Sequence, residues 1–507
     1  MASHALNHEP LDAYNLALTE NLHPANWVNP TPADRYNMLV IGAGTAGLVT
    51  AAGAAILGAK VALVERDLMG GDCLNFGCVP SKTLIRSARA AAAVRDAGRF
   101  GVEVPAGMQV NFPAVMERMR QLRVQLSPTD SANRFRGLGV DVFIGDGRFV
   151  APDCVEVDGK RLKFKKAAIT TGARAASLPI PGLAEVGYLT NETVFSLTEL
   201  PRKIAVIGAG PIGCELAQTF ARFGAEVALL EVAPQILIRE DRAAAERIER
   251  AIVRDGVEIL TSCKIARVES RGGKKVLTTE RGSGRGEIAA DEILIGVGRV
   301  PAVEGLNLEA AMIEYDKQNG VKVDDHLRTT NPLVYAGGDV ASPYKFTHLS
   351  DAHARVILRN ALFFGRQRAS QLTIPWCTYT DPEIAHVGLY EAEARQRGIA
   401  VTAYTQELVE VDRAVLDGET EGFVKVLVKQ GTNQIVGATI VASHAGEIIS
   451  ELTTAIKAGV GLGTLGDVIH PYPTQADAIR RAAGLYTRTR LTPFVAGMMK
   501  RWFAFTR

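Results

Sequence analysis

Cysteine is scarce in this chain, aromatic residues are few and neither sign of charge prevails, and each shortage removes a class of protein. Six cysteines in 507 residues cannot build a disulfide scaffold, and only Cys73 and Cys78 stand close together. That pattern suits a reducing cytosol with one special dithiol, so a cytoplasmic location is expected. Lysine and arginine number 57 against 55 acidic residues, a formal charge of +2. No long single-sign block offers a nucleic-acid surface or a polybasic membrane patch, and no nucleic-acid partner is expected. The opening MASHALNHEP lacks the basic and apolar regions of a secretory signal. One uncharged run, Asn37 to Ala59, is long enough to span a bilayer. It holds Gly42, Gly44 and Gly47 directly after a short apolar strand, so a strand, a glycine turn and a buried Ala-rich helix explain it better than a transmembrane segment.

What is present is a repeated unit. From Met38, MLVIGAGTAG, an Ala-rich helix and VALVE make a complete βαβ unit, and from Ile204, IAVIGAGPIG, a helix and VALLE repeat it. In each, the three glycines allow a tight turn, close approach of the backbone to a pyrophosphate, and packing of the helix on the strand. The first set is Gly42, Gly44 and Gly47 with Glu65 for ribose hydroxyls; the second is Gly208, Gly210 and Gly213 with Glu231. Two dinucleotides are expected. A carboxylate at Glu231 accepts from a free 2′-hydroxyl and repels a 2′-phosphate, favouring NADH, while Arg239 nearby leaves NADPH possible.

Between the two units, Val140 to Thr170 is strand-rich and ends in AITTG; after the second, ILIGVGRVP and LVYAGGDV return as apolar strands with glycine ends. The first domain is therefore expected in two segments. The fold class is α/β, with two Rossmann-like dinucleotide-binding domains and a C-terminal α+β domain. The boundaries read 1–36 for a breaker-rich extension lying on the next domain, 37–175 and 298–370 for the first dinucleotide domain, 176–297 for the second, and 371–507 for the last.

GGDCLNFGCVPSK follows the first unit's acid almost at once, which puts Cys73 and Cys78 beside the first dinucleotide rather than in a zinc site. About one turn of helix between them would let a disulfide open and close, with a thiolate held by a helix N-terminus or a positive group. A buried structural pair is the bland alternative.

The paired glycine motifs, GGDCLNFGCVPSK, TTNPLVYAGGDV with FTHL after it, and TDPEIAHVGL resemble the flavin disulfide reductase family, over about residues 37 to 485. The resemblance implies FAD in the first domain, a nicotinamide dinucleotide in the second and a C-terminal dimerisation domain in a homodimer. It makes Cys73 the thiol that meets the acceptor and Cys78 the charge-transfer thiol against the flavin. Lys82 would lie near the flavin and pair with Glu215, and Asp339 would bind the ribityl chain. Thr171, Gly172 and Gly298 would line the cofactor sites. Cys154, Cys214, Cys263 and Cys377 match no motif and read as ordinary buried residues.

Two departures bear on the acceptor. Members that reduce disulfides carry a His-Pro-Thr motif followed by a carboxylate; this chain has HPYPTQAD, with Tyr472 in place of the histidine and Asp477 at the carboxylate. A phenol is a poor base at neutral pH, and His470, two positions away, reads as a surface or helix-entry residue. A tyrosine there, and VDRAVLDGETEGFVKVLV, resemble mercuric reductase-like members, with Hg(II) as a transient ligand of Cys73 and Cys78. Yet MMKRWFAFTR has no vicinal cysteines, and residues 1–36 hold no cysteine with which to carry a metal. Asp72, beside Cys73, stands where the family commonly has threonine and would disfavour a thiolate. The alternatives are an NADH-dependent disulfide, dihydrolipoamide, quinone or small-electrophile reductase, and a non-catalytic redox-sensing flavoprotein. Trp502, Phe503 and Phe505, after Lys500 and Arg501, could touch a membrane or a partner, and docking onto the protein's own dimer is the safer reading.

Overall fold

The computed structural model describes residues 9–507; the opening residues, read above as no secretory signal, lie largely outside them. The chain forms two compact units. One runs through Leu230 and resumes as Cys263–Leu372; the other comprises Glu231–Ser262 and Thr373–Arg507.

In the first unit the strand Tyr36–Ile41 is buried at all but one position, as a central parallel strand covered on both faces must be. It pairs in parallel with Val61–Glu65 on one side, Leu39 opposite Ala62, and with the second half of Lys160–Ile169 on the other, Ile41 opposite Ile169. Val140–Ile144 extends the sheet beyond Val61–Glu65. The first half of Lys160–Ile169 instead turns antiparallel against Cys154–Val157, which meets Arg148–Ala151. Val334–Ala336 comes back from far along the chain to lie parallel to Lys160–Ile169. Alternation along the central strand separates two cores: Met38 and Val40 pack with Leu63, Val142 and Ile357, whereas Leu39 and Ile41 pack with Val64, Phe143 and Phe164. A second parallel sheet sets Lys203–Ile207 between Glu226–Leu230 and Glu292–Ile295, with the antiparallel strands Lys264–Arg271, Lys274–Arg281 and Gly284–Ala290 beside it.

The extension expected from its breakers holds a helix, Ala13–Leu22, whose N-terminus is capped by the Asp12 carboxylate accepting from the Asn15 N–H at 2.8 Å. Its inward face carries Asn15 beside Leu18 and Leu22, so the apolar periodicity that would announce it is weak. Leu18 and Leu22 are fully buried in the core with Met38 and Leu63. Arg123, itself buried, donates to Asn15 Oδ1 at 2.7 Å and to the Asn75 carbonyl at 3.0 Å. Further on, Trp27 Nε1 donates to the Val142 carbonyl at 3.1 Å, and the Asn29 amide pairs with both backbone groups of Ile144. The extension is thus a strap on the first domain, reaching the segment that carries Cys73.

The second unit is built on an antiparallel sheet in the order Pro375–Thr378, Glu383–Gly388, Ile435–Ala442, Phe423–Lys429, Val401–Glu407. The helices Ala445–Ala458 and Asp477–Thr489 bury Leu452, Ile479 and Ala482 against Val424, Val426 and Ile440. The helix Arg242–Arg254 joins this unit through Arg247 to Glu407 at 3.0 Å, and Asp241 receives Lys425 at 2.8 Å. A last helix, Pro493–Phe505, begins at a Thr492 cap with proline in its first turn.

Two histidines, His353 in the first unit and His386 in the second, are buried with their imidazoles neutral. His353 Nδ1 accepts the Gly338 N–H at 3.2 Å, and His386 sits between Thr439 Oγ1 at 2.8 Å and the Gly388 carbonyl at 3.1 Å. Burial pushes both pKa values down to about 4. The unfolded chain takes up these protons near pH 6.5, the folded chain only near 4, so their contribution to stability is complete above pH 6.5 and shrinks as pH falls. Each histidine should cost up to roughly 3 kcal/mol of stability by pH 4. Denaturant midpoints measured between pH 7 and 4.5 should fall, and His353→Gln should flatten that fall; an unchanged slope would show that His353 is not the proton acceptor.

Candidate active site

The glycines of each turn do different work. At Gly42, where φ is +99°, an added Cβ would lie 2.6 Å from the Thr170 carbonyl oxygen, and at Gly47 only 1.8 Å from that of Gly42. At Gly44 the nearest atom is 3.8 Å away, so the protein itself has room for a methyl group there. Gly44 caps the helix Thr45–Ile56 without any side-chain hydrogen bond, which leaves the first N–H groups of that helix for an outside acceptor, as a diphosphate would be. The second turn repeats this: Gly213 would meet the Gly208 carbonyl at 1.9 Å, while Gly210 has nothing nearer than 3.9 Å and caps Pro211–Phe223 without a side chain. Glu65, at the end of its strand, accepts the Ala43 N–H at 2.6 Å and the Asp67 N–H at 2.8 Å, and burial raises its pKa. Glu231, in the second unit, accepts from the Ala233 N–H at 2.9 Å, and Arg239 is exposed.

No continuous helical turn joins the two cysteines. Cys73 lies in the short helix Gly71–Asn75, and Cys78 opens the helix Cys78–Arg95 after a break at Phe76 and Gly77. A Cβ at Gly77 would stand 2.7 Å from an Asp72 carboxylate oxygen and 3.0 Å from its carbonyl, so a side chain there would crowd Asp72 where the chain folds back between the cysteines. The sulfurs are hydrogen-bonded to one another, and Cys78 Sγ also meets Thr347 Oγ1 at 3.3 Å. The Cys78 thiol is drawn down to about 6 by the Cys73 hydrogen bond, then by Thr347 and the Lys82 charge. Cys73 moves the opposite way, its proton held by the hydrogen bond to Cys78 and by burial. The place of Cys78 at the start of a long helix adds to the stability of its thiolate.

Lys82, one turn after Cys78 on the same helix face, donates to Glu215 at 2.8 Å, and the Glu215 side chain is only 6% exposed. Phe220 and Phe223, further along Glu215's helix, pack around Phe112. Asp72 is held by other partners: Arg299 bridges it to Asp339, 3.0 Å to each carboxylate, and Asn191 donates to it at 3.1 Å. Burial still raises the Asp72 pKa against the pull of Arg299, and its charge still disfavours both thiolates. Arg299 carries no motif signal apart from the GVGRVP run that names Gly298.

In the second unit Tyr472 is exposed, and its hydroxyl donates to Asp412 Oδ2 at 2.8 Å. Asp477, the expected orienting carboxylate, is held instead by Arg480 and Arg481, each at 2.7 Å. Arg481 reaches Asp412 at 3.1 Å and so closes a chain from Tyr472 to Asp477. The Tyr472 pKa is raised by the bond to Asp412, and Asp412 is lowered by Tyr472 and Arg481. Asp412 lies too far from HPYPTQAD in sequence for spacing to have found it. His470 is no surface residue: its side chain is 5% exposed, with Nε2 at 3.1 Å from Glu451 and Nδ1 at 3.1 Å from the Val468 carbonyl. Of the remaining cysteines, Cys154, Cys214 and Cys263 are buried and Cys377 is half-buried.

Sequence comparison settles the family. The profile described as pyridine nucleotide-disulphide oxidoreductase matches residues 36–356, and its dimerisation-domain counterpart matches residues 374–483. The chain belongs to that family. A mercuric reductase of Bacillus cereus is 34% identical over 447 residues, 88% of this chain and 71% of the relative. A dihydrolipoyl dehydrogenase of Thermus scotoductus is 33% identical over 88% of this chain and 96% of its own length. Among solved structures, a Cu(II) complex of the HOCl-induced flavoprotein disulfide reductase RclA from Escherichia coli, in a cysteine-to-serine mutant form, superposes with a TM-score of 0.81 at 27% identity, covering 89% of this chain and all of that one.

Enzymes of the pyridine nucleotide-disulphide oxidoreductase family use FAD and NAD(P)H, and the uncapped helices behind Gly44 and Gly210 fit their diphosphates. Thr171, Gly172 and Gly298 lie where the chain crosses between the two glycine folds: Ala173–Ala175 pairs with Arg299–Pro301, Thr171 Oγ1 donates to the Ala302 carbonyl at 2.7 Å, and Gly172 and Gly298 both have positive φ. Among the described residues no helix is long and apolar enough to cross a membrane.

Substitution separates the two kinds of glycine. Gly44→Ala should fold and lose FAD on purification, whereas Gly47→Ala should fail to give soluble protein; equal FAD content in Gly44→Ala and the parent would remove Gly44 from the phosphate site. In the reduced protein, alkylation of Cys78 by iodoacetamide should rise with a midpoint near pH 6 and that of Cys73 only at much higher pH. Lys82→Met should move the Cys78 midpoint upward.

Proposed function

We propose that this flavin-dithiol oxidoreductase takes electrons from NADH and delivers them to a soft metal ion, with Hg(II) the leading acceptor. The observation that carries the reading is Tyr472, a phenol kept protonated by Asp412 at the place where disulfide-reducing members carry a base. Reduction of a disulfide substrate releases a sulfur leaving group that needs a proton; reduction of Hg(II) does not. The kinship with mercuric reductases supports a metal acceptor, and a solved relative forms a complex with a metal ion, Cu(II).

FAD, held by the turn at Gly44 with Glu65 and Asp339, would supply the two-electron link between NADH and the dithiol. Cys73 and Cys78 as a disulfide take up two electrons and two protons to become thiols, and Cys78 is the first to stand as thiolate. Both sulfurs, deprotonated, hold Hg(II) in the linear two-coordinate geometry it favours, their protons passing to solvent. Two further electrons, drawn from a second NADH, give Hg(0) and return two thiolates, so the balance closes without an acid at the sulfurs. Lys82, paired with Glu215, holds positive charge beside Cys78. Asp339 and Glu65 stand for the ribityl and ribose hydroxyls, and Glu231 favours NADH over NADPH. In the homodimer, Tyr472 of one subunit serves the dithiol of its partner.

The test is anaerobic reduction with NADH, then addition of Hg(II) as a small-thiol complex, following elemental mercury release, with lipoamide and glutathione disulfide in parallel. Catalytic mercury release that drops at least about a hundredfold in Cys73→Ala is expected. Mercury that only stalls the enzyme while a disulfide turns over would sink the metal reading and favour a disulfide reductase.

A further inference from the structure

The helix Pro493–Phe505 has no buried residue. Phe494 is 80% exposed, Phe505 85% and Trp502 61%. Helical geometry gathers Phe494, Phe505, Met498, Trp502, Met499 and Phe503 on one half of the circumference, leaving Lys500, Arg501 and small residues on the other. From Thr487 to the last residue there are cations at Arg488, Arg490, Lys500, Arg501 and Arg507, and not one aspartate or glutamate. These charges are spaced along the segment, which is why no single-sign block marks it in the sequence.

We infer that this helix docks the enzyme on an anionic lipid surface, lying in the plane of the interface. A wide apolar arc with aromatic residues, backed by lysine and arginine and free of acid, is the pattern that such surfaces take up. The helix, at 13 residues, is too short to span a bilayer, which takes about 20. Covering by a second copy is opposed on two counts. A two-fold contact of this segment with itself would bring like charges together. The family's dimerisation domain matches only as far as residue 483, before the helix begins. The inference takes the membrane alternative over docking on the protein's own dimer, and it does not depend on which acceptor the dithiol reduces.

The full-length holoprotein is floated with vesicles of phosphatidylcholine alone or with about one-third phosphatidylglycerol. The bound fraction should rise about tenfold with the anionic lipid and fall several-fold when salt goes from about 0.1 to 0.5 M. Trp502→Glu with Phe503→Glu, and separately Lys500→Glu with Arg501→Glu, should each abolish flotation and leave NADH oxidation in solution unchanged. No flotation on anionic vesicles, or flotation insensitive to both double variants, overturns the inference. So does a Trp502→Glu, Phe503→Glu protein that sediments as a monomer where the parent is a dimer, since a second copy then covers the face.

Discussion

The ion pair between Lys82 and Glu215 is the interaction on which the rest of the site depends. Glu215 is almost wholly enclosed, and a buried carboxylate stripped of its partner costs about 3 to 5 kcal/mol. The pair therefore locks the helix that begins with Cys78 to the helix that begins at the second glycine turn. The same lysine supplies one of the charges that lower the Cys78 pKa. Structure and reactivity thus share one contact: whatever loosens the two helices also removes positive charge from the thiol.

Around that pair the charges are balanced rather than uniformly activating. Asp72 disfavours both thiolates, and Arg299 offsets it while also holding Asp339. The two cysteines differ because the backbone places them differently. Cys78 heads an 18-residue helix, whereas Cys73 sits inside a five-residue one. A thiol at a helix start that accepts a hydrogen bond is favoured as an anion, and the thiol that donates that bond keeps its proton. The division between a thiolate and a thiol that keeps its proton is built in before any substrate arrives, and the break at Gly77 maintains it.

The parts legible in the sequence are those where local geometry demands particular residues. The glycine turns announce themselves because a Cβ at Gly47 or Gly213 would collide with a backbone carbonyl, and the dithiol because its cysteines share one short segment. Asp412 and Arg299 escape because their partners are distant in sequence: Asp412 meets a tyrosine 60 positions on, and Arg299 joins Asp72 to Asp339. The helix Ala13–Leu22 escapes for another reason. It buries an asparagine along with its leucines, since Asn15 and Arg123 satisfy one another inside the domain, and a polar pair of this kind erases the periodicity by which helices are found. Asp477 shows the converse error: a carboxylate in the right place in sequence is taken by two arginines, and the one that meets the phenol comes from elsewhere.

On the proposed reading, acceptor preference resides at Tyr472 rather than at the dithiol. The dithiol, the Lys82–Glu215 pair and the glycine turns serve any acceptor that thiols can meet, so they do not distinguish a metal ion from a disulfide. The distinction falls to whether a base stands by to move the proton of a sulfur. Tyr472 is bound to Asp412, Asp412 to Arg481 and Arg481 to Asp477. In that chain the carboxylate nearest the phenol stabilises its protonated form, since an anion beside an anion is disfavoured. A histidine in the place of Tyr472 would be pushed by Asp412 toward the imidazolium, an acid poised to return a proton. The same carboxylate would support proton transfer with a histidine and suppresses it with the phenol, and on that difference rests the proposal that the acceptor is a metal ion.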